Sequence, residues 1–130
     1  MIRGSERLVK VDPKLRSVLE AAGAKWDLIV LETERTPERQ QQLVNSGASK
    51  TMDSMHLVQA DGLVHAADVA PWPVDWNDKS RFYYLGGYVL AEADRLGVRV
   101  RWGGDWNTNT EVKDQTFNDL DHFETPIGVA

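Results

Sequence analysis

The chain has 130 residues, of which 42% are hydrophobic and 27% charged, as in an ordinary soluble globular protein. Its net charge of −5, without a basic cluster, argues against nucleic acid as a partner, and no apolar run is long enough for membrane insertion. The absence of cysteine excludes disulfides and thiolate metal sites, so a zinc site here must use histidine and carboxylate ligands. This length predicts a single domain over residues 1–130.

The first half of the chain predicts two helices and a strand, after an N-terminal segment without a clear pattern. Asp12 and Thr36 each precede a proline, which is typical of a helix start. Apolar residues at helical spacing follow the first signal, and a short helix follows the second. Between them lies a run of branched apolar residues that is typical of a buried strand. The predicted ranges are a helix over 13–23, a strand over 26–32 and a helix over 38–45.

The second half predicts one long helix and three short strands. The helix carries apolar residues along one side and two consecutive glycines, which weaken it or mark a close packing contact. The class that fits this mixture is α+β, with a small central antiparallel sheet flanked by helices. The predicted ranges are a strand over 64–70, a helix over 79–96, a strand over 98–102, a polar loop over 103–115 and a strand over 121–125.

A candidate metal site lies in the segment 50–71, which contains His56, His65 and Asp68. Asp68 stands in a run of small apolar residues, where burial is costly unless a cation accompanies the carboxylate. A divalent metal is one such cation, with histidine as the usual second ligand. The remaining histidine, His122, lies far downstream, and we expect the two stretches to meet in space. Three protein ligands would leave one position open for water.

Five stretches together resemble the zinc-dependent D-alanyl-D-alanine carboxypeptidase and dipeptidase family. The members most similar to this chain are small bacteriophage L-alanyl-D-glutamate endopeptidases, which act as endolysins. The resemblance extends from about residue 12 to residue 125. The matching stretches are Arg35-Thr-Pro-Glu-Arg-Gln40, Ser54-Met-His56, His65-Ala-Ala-Asp68-Val-Ala-Pro71, Arg101-Trp-Gly-Gly-Asp-Trp106 and Asp119-Leu-Asp-His122-Phe-Glu124.

The resemblance implies a role for each matching residue. His56, Asp68 and His122 correspond to zinc ligands, and Asp119 to the catalytic carboxylate that takes a proton from water and passes it to the departing amine. Arg35 corresponds to the arginine that stabilises the developing oxyanion.

One departure from the family concerns the first ligand. His56 precedes Asp68 by twelve residues, a longer interval than in the family, and Val64 stands where the family has a glycine. A five-residue insertion at about 58–62 would explain both differences. It would lengthen a loop beside the metal, and we expect the longer loop to affect substrate access. It leaves His65 as a rival ligand. If the segment is a strand, however, His65 and Asp68 point to opposite faces, which favours His56.

Other residues keep simpler alternatives. Asp121 is an alternative to Asp119 as the catalytic carboxylate, and only the spacing in the family distinguishes the two. Arg35 would also serve as an ordinary salt-bridge partner. Gln40 would serve as a polar helix residue instead of contacting substrate, and Ser54 would serve equally well as a loop cap. Glu124 would either orient His122 or lie as a solvated carboxylate at the sheet edge. The tryptophans at 72, 102 and 106 are expected to serve packing more than substrate binding.

The expected function is a Zn²⁺-dependent peptidase that cleaves the stem peptide of bacterial peptidoglycan, at the L-alanyl-D-glutamate bond. Two alternatives stay open: a D-alanyl-D-alanine carboxypeptidase, and a zinc-stabilised wall-binding module that lacks turnover. We expect a monomer without a separate wall-binding domain. The start of the chain lacks the apolar core of a secretory signal. We therefore expect the protein to stay in the host cytoplasm until the membrane is permeabilised, and then to act on the cell wall.

Overall fold

The computed structural model describes residues 1–49, 51–113 and 118–127. Within these ranges a five-stranded sheet is combined with three α-helices and one short 3-10 helix. The elements in chain order are β1 (Ile2–Arg3), the 3-10 helix (Ser5–Leu8), α1 (Pro13–Gly23), β2 (Leu28–Glu32), α2 (Pro37–Asn45), β3 (Ala66–Pro71), α3 (Lys79–Leu96), β4 (Arg101–Gly103) and β5 (Asp119–Glu124).

The sheet has the strand order β1-β2-β3-β5-β4. All neighbouring strands are antiparallel except β1 and β2, which are parallel. The predicted α+β class is confirmed, but the sheet is mixed and not wholly antiparallel. The parallel pair was missed because β1 has only two residues, too few to show a period.

The central strand β3 separates the core from a polar face. All six of its residues are buried, and successive side chains of a strand point to opposite faces. Ala67 and Val69 belong to the hydrophobic core together with Phe123 of β5. Asp68 alternates with them and therefore points to the face opposite the core. The core face is covered by α1 and α3, which pack against each other and supply most of the remaining core side chains.

The three predicted helices form where their capping signals indicated. Asp12 and Thr36 accept hydrogen bonds from backbone N–H groups in the first turns of α1 and α2. Helix α3 ends at Gly97, whose φ of 69° is readily adopted by glycine. No helix in the described ranges is long and apolar enough to cross a membrane.

Strand boundaries differ from the predicted ones by up to three residues. The strand predicted from residue 98 starts at Arg101, because the Val98 N–H caps the end of α3 by bonding to Ala93. The last strand begins two residues earlier than predicted, so Asp119 lies on β5. Of the predicted loop over 103–115, residues 114 and 115 lie outside the described residues.

One of the two glycines inside α3 is a close packing contact. A Cβ atom at Gly86 would lie 2.3 Å from the Trp102 ring, whereas a Cβ at Gly87 would meet nothing within 4 Å. The absence of a side chain at Gly86 therefore lets α3 lie directly on the indole ring from β4.

Candidate metal centre and active site

Three potential metal ligands converge on the polar face of the sheet. His56 Nε2 lies 3.2 Å from Asp68 Oδ1 and 3.2 Å from His122 Nδ1. His122 Nδ1 lies 3.4 Å from the same Asp68 oxygen. The structure thus brings together the two segments that the sequence places 54 residues apart, counting from Asp68 to His122.

Strand register brings two of these ligands together. Asp68 of β3 is the direct cross-strand partner of His122 on β5, and on its other side it faces Glu32 of β2. Directly opposed side chains on one face of a sheet lie close enough to interact. Three polar side chains therefore form a row across the centre of the sheet.

His56 reaches this row from the segment between α2 and β3. Its carbonyl accepts from the Arg35 N–H at 2.8 Å, and its own N–H donates to Ser54 Oγ at 3.1 Å. The side chain of His56 is 1% exposed. These contacts hold the imidazole over the sheet. Ser54 caps the loop and also lines the cavity described below, so both roles considered for it stay predictions.

The outer nitrogen of each histidine has an acceptor. His56 Nδ1 lies 2.7 Å from the Thr33 carbonyl oxygen, and His122 Nε2 lies 2.7 Å from Glu124 Oε1. An acceptor at the outer nitrogen favours a proton there and leaves the inner nitrogen's lone pair for a metal. Glu124 is itself held by Arg101 Nη2 at 2.7 Å. The geometry therefore corresponds to the orienting role predicted for Glu124.

The donor spacing fits a tetrahedral metal. Bonds of about 2.0–2.1 Å from zinc to nitrogen or oxygen place tetrahedral ligand atoms about 3.3 Å apart. The three inward-facing donor atoms are separated by 3.2, 3.2 and 3.4 Å. Two imidazoles and one carboxylate therefore fit a small divalent ion with a fourth position open.

The cluster also stabilises charge before any metal binds. Burial by itself would raise the pKa of Asp68, but hydrogen bonds with His122 and His56 hold that pKa below its ordinary value. Burial would lower the pKa of His122, yet hydrogen bonds with Asp68 and Glu124 raise it to about 9. An incoming metal ion must therefore displace a proton from His122 at neutral pH.

Asp119 lies beside the cluster with a partly exposed carboxylate. Its Oδ2 is 4.0 Å from His122 Nδ1, and its side chain is 38% exposed. The neighbouring candidate Asp121 has a different environment. Burial, the charge of Asp68 and a hydrogen bond with Asp119 raise the pKa of Asp121 to about 9. Asp121 is therefore protonated at neutral pH, which makes it a poor general base.

Arg35 is fixed on the opposite side of Asp68. Its Nε donates to Glu32 at 2.9 Å, its Nη1 donates to Gln40 at 2.8 Å, and its Nη2 lies 3.6 Å from Asp68 Oδ2. The side chain is 9% exposed, and it lines the cavity described below. Arg35 is therefore both a salt-bridge partner and a rigid cation beside the ligand cluster.

Gln40 lies behind Arg35 and does not line the cavity. It is fully buried, and its Nε2 donates to Ser49 Oγ and to the Thr51 carbonyl oxygen. Its contact with the guanidinium makes it a positioning residue. Gln40 lies outside the cavity lining, which fits a role in positioning Arg35, and the substrate contact considered for it stays a prediction.

A cavity of about 370 Å³ opens over the cluster. Its walls include Met55, Arg101 and Trp106, and it also contains Arg35, Asp119 and the three ligands. Trp106 was expected to serve packing, but its ring lies 5.3 Å from the His122 ring and faces this cavity. Glu32, which lines the cavity and binds Arg35, is not predicted as a site residue. Its position at the end of a predicted strand, three residues before Arg35, is the sequence signal that indicates it.

The rival histidine lies elsewhere. His65 Nε2 is 2.7 Å from Asp61, while its Nδ1 is 3.1 Å from Thr125 Oγ1 and 3.4 Å from Asp12. It therefore ties the sheet to the start of α1. The segment 58–62 forms turns closed partly by the Asp61–His65 contact, and none of its residues lines the cavity. The effect of this segment on substrate access stays a prediction, although the segment lies outside the walls of the cavity as described.

Comparison with known proteins gives consistent matches. The model of the phage L-alanyl-D-glutamate peptidase family matches residues 2–125. An L-alanyl-D-glutamate peptidase of Listeria phage A118 is 37% identical over 94 residues, which cover 71% of this chain and 31% of that protein. An L-alanyl-D-glutamate peptidase of Escherichia phage T5 is 27% identical over 115 residues, covering 85% of this chain and 82% of that protein.

A solved structure shares the fold. The L-Ala D-Glu endopeptidase ChiX of Serratia marcescens superposes with a TM-score of 0.76 at 28% identity, over 97% of this chain and 90% of that one. The chain spans less than a third of the Listeria phage protein but most of the other two. Since the family model covers nearly the whole chain, the protein belongs to the phage L-alanyl-D-glutamate peptidase family.

Proposed function

We propose that this protein is a zinc peptidase that hydrolyses the L-alanyl-D-glutamate bond in the stem peptide of bacterial peptidoglycan. The observation that carries the proposal is the His56–Asp68–His122 cluster, spaced for a tetrahedral ion and open to a cavity between Asp119 and Arg35. The relatives named L-alanyl-D-glutamate peptidase support the choice of bond.

The donor atoms favour zinc over calcium and magnesium. Calcium and magnesium prefer oxygen ligands, whereas two imidazoles and a carboxylate suit zinc. When bound, the ion would acidify a water molecule and polarise the scissile carbonyl. His56, Asp68 and His122 would hold it, with Glu124 and the Thr33 carbonyl fixing the two imidazoles.

Asp119 and Arg35 would transfer the proton and stabilise the negative charge of the reaction. Asp119 would take a proton from the attacking water and deliver it to the departing amine of D-glutamate. Arg35 would stabilise the negative charge that develops on the carbonyl oxygen, since its guanidinium is already fixed by Glu32 and Gln40.

Digestion of purified peptidoglycan tests the proposal. Mass spectrometry of the products is expected to show peptides that begin with D-glutamate and glycan that retains L-alanine. EDTA should stop their release and added zinc should restore it. Release of terminal D-alanine alone would show that the protein cleaves the D-alanyl-D-alanine bond instead. Release of no product under any condition would favour a wall-binding module.

The route to the wall is part of the proposal. We infer that the protein meets peptidoglycan after the host membrane has been permeabilised, as expected of an endolysin. Lysis on external addition to intact, unpermeabilised cells would contradict this route.

A further inference from the structure

A second cavity lies beyond Asp119. It measures about 230 Å³, and one wall consists of Trp76, Lys79 and Phe82 at the start of α3. The opposite wall is the segment from Asn118 to Asp121. Asp119 lines both this cavity and the one over the metal ligands. The two cavities therefore meet at the residue proposed to handle the proton.

Lys79 is the cation that is available in this groove. The two arginines of the larger cavity are engaged by carboxylates: Arg35 by Glu32, and Arg101 by Glu124. Lys79 is exposed, and its ammonium makes no ion pair with any residue in the described ranges. An anionic group of a ligand would therefore find an uncommitted positive charge here.

The proposed chemistry decides which half of the substrate lies in this groove, and this step rests on the proposed function. Asp119 hands its proton to the departing amine, so the amine-bearing half must lie beside Asp119. That half begins with D-glutamate. Glutamate has two carboxyl groups, and when the peptide continues from one of them the other remains a free carboxylate.

We propose that the groove between Trp76, Lys79 and Asp119 binds the D-glutamate half of the substrate, with Lys79 pairing with its free carboxylate. The pairing answers an electrostatic need. The Asp119 carboxylate lines the same groove, and its negative charge disfavours an approaching anion unless a cation offsets it.

The other wall suits the apolar part of the same residue. Trp76 is 58% exposed, and its ring stacks on Phe82 with centroids 5.3 Å apart at an interplanar angle of 14°. This stacking holds a flat apolar surface next to Lys79. The methylene groups of the glutamate side chain would pack on that surface while the carboxylate meets the ammonium.

The test compares two substrates on the zinc-loaded full chain. One is an L-Ala-D-Glu peptide extended from one glutamate carboxyl group with the other free, and the second carries a carboxamide at that free position. We expect wild-type kcat/KM to favour the carboxylate substrate by about tenfold, the range of a hydrogen bond to a charged group. In Lys79→Met, kcat/KM for the carboxylate substrate should fall to that for the carboxamide substrate, and kcat/KM for the carboxamide substrate should not change. Lys79→Arg should keep most of the preference.

Lys14→Met is the matched control, because it removes the same charge from an exposed helix start that lines neither cavity. Equal losses on both substrates in Lys79→Met, or an unchanged preference, would overturn the assignment of Lys79 while the proposed function stands. Failure of the wild-type protein to cleave either substrate would instead overturn the proposed function, and the inference with it.

Discussion

The two histidines of the candidate metal centre present different ring nitrogens inward, Nε2 from His56 and Nδ1 from His122. The difference follows from where each residue is attached. His122 is fixed on a strand and bonds outward to Glu124, whereas His56 approaches on a loop and bonds outward to Thr33. Each inward nitrogen is set by the acceptor on the other side of its ring.

Replacement of the proposed general base tests the chemistry. Asp119→Asn is expected to lower kcat by about 10²- to 10⁴-fold, the usual contribution of general acid–base catalysis, with zinc content unchanged. Asp121→Asn is the control, because Asp121 is already protonated at neutral pH and asparagine resembles that form. Equal losses in the two variants would mean that Asp119 has no special role.

The choice between the two histidines of the segment is tested by metal analysis. His56→Ala should lose bound zinc, because its Nε2 faces the other ligands. His65→Ala should retain zinc but lower the free energy of unfolding in urea by about 1–3 kcal/mol, since it removes a buried imidazole that contacts Asp12, Thr125 and Asp61. Normal zinc content in His56→Ala would remove it from the ligand set.

The titration of His122 is expected to report on metal binding. In the metal-free protein its pKa of about 9 is above the ordinary 6.5. The stabilisation from its protonated form is thus complete below pH 6.5 and is lost as the pH rises through about 9. NMR of the imidazole protons should show this midpoint, and zinc should abolish it. A midpoint near the ordinary value would contradict the described contacts.

At the scale of elements, the polar row depends on the register between β3 and β5 and on the side-chain alternation along β3. A slip by one residue would exchange Asp68 with a core alanine and remove both the ligand and the core contact. The close packing of α3 on β4 helps to hold the sheet in this arrangement, since Gly86 lies against Trp102.

A pair of glycine substitutions measures that packing. Gly86→Ala should lower the free energy of unfolding by about 1–3 kcal/mol, because its Cβ would overlap the Trp102 ring. Gly87→Ala, next to it on the same helix, has open space and should raise stability by up to about 1 kcal/mol through helix propensity. Urea unfolding curves of both variants give the comparison, and similar effects in the two would contradict the described contact.

At the scale of the whole molecule, the metal centre joins distant parts of the chain. Its ligands come from the loop before β3, from β3 and from β5, so bound zinc would link segments that separate on unfolding. Zinc at about a thousand times its Kd is therefore expected to stabilise the fold by about 4 kcal/mol. Thermal unfolding with EDTA and with zinc measures the difference.

The control for this stabilisation is Asp68→Asn, which keeps the shape of the side chain but weakens the ligand. The zinc-dependent rise in Tm should be largely lost in this variant. Coinciding wild-type curves with EDTA and with zinc would rule out a structural contribution of the metal.

The local sequence was sufficient to predict the helices and the family. The Asp12 and Thr36 caps, the apolar spacing of α3 and the five ordered motifs are all properties of short stretches. The two-residue β1 and the start of β4 were not predicted, because one is too short for a period and the other competes with the cap of α3. The ligand assignments from the resemblance stay predictions that the metal analysis tests.

The sequence by itself determined the fold class, the family and a short set of candidate ligands, since these depend on residue types and their order. Only the tertiary structure decided which candidates meet. It brings His56 to Asp68 and takes His65 to Asp12, and it gives Asp119 and Asp121 different environments. Distances and burial between residues far apart in the chain arise from strand register and loop packing, which no local pattern encodes.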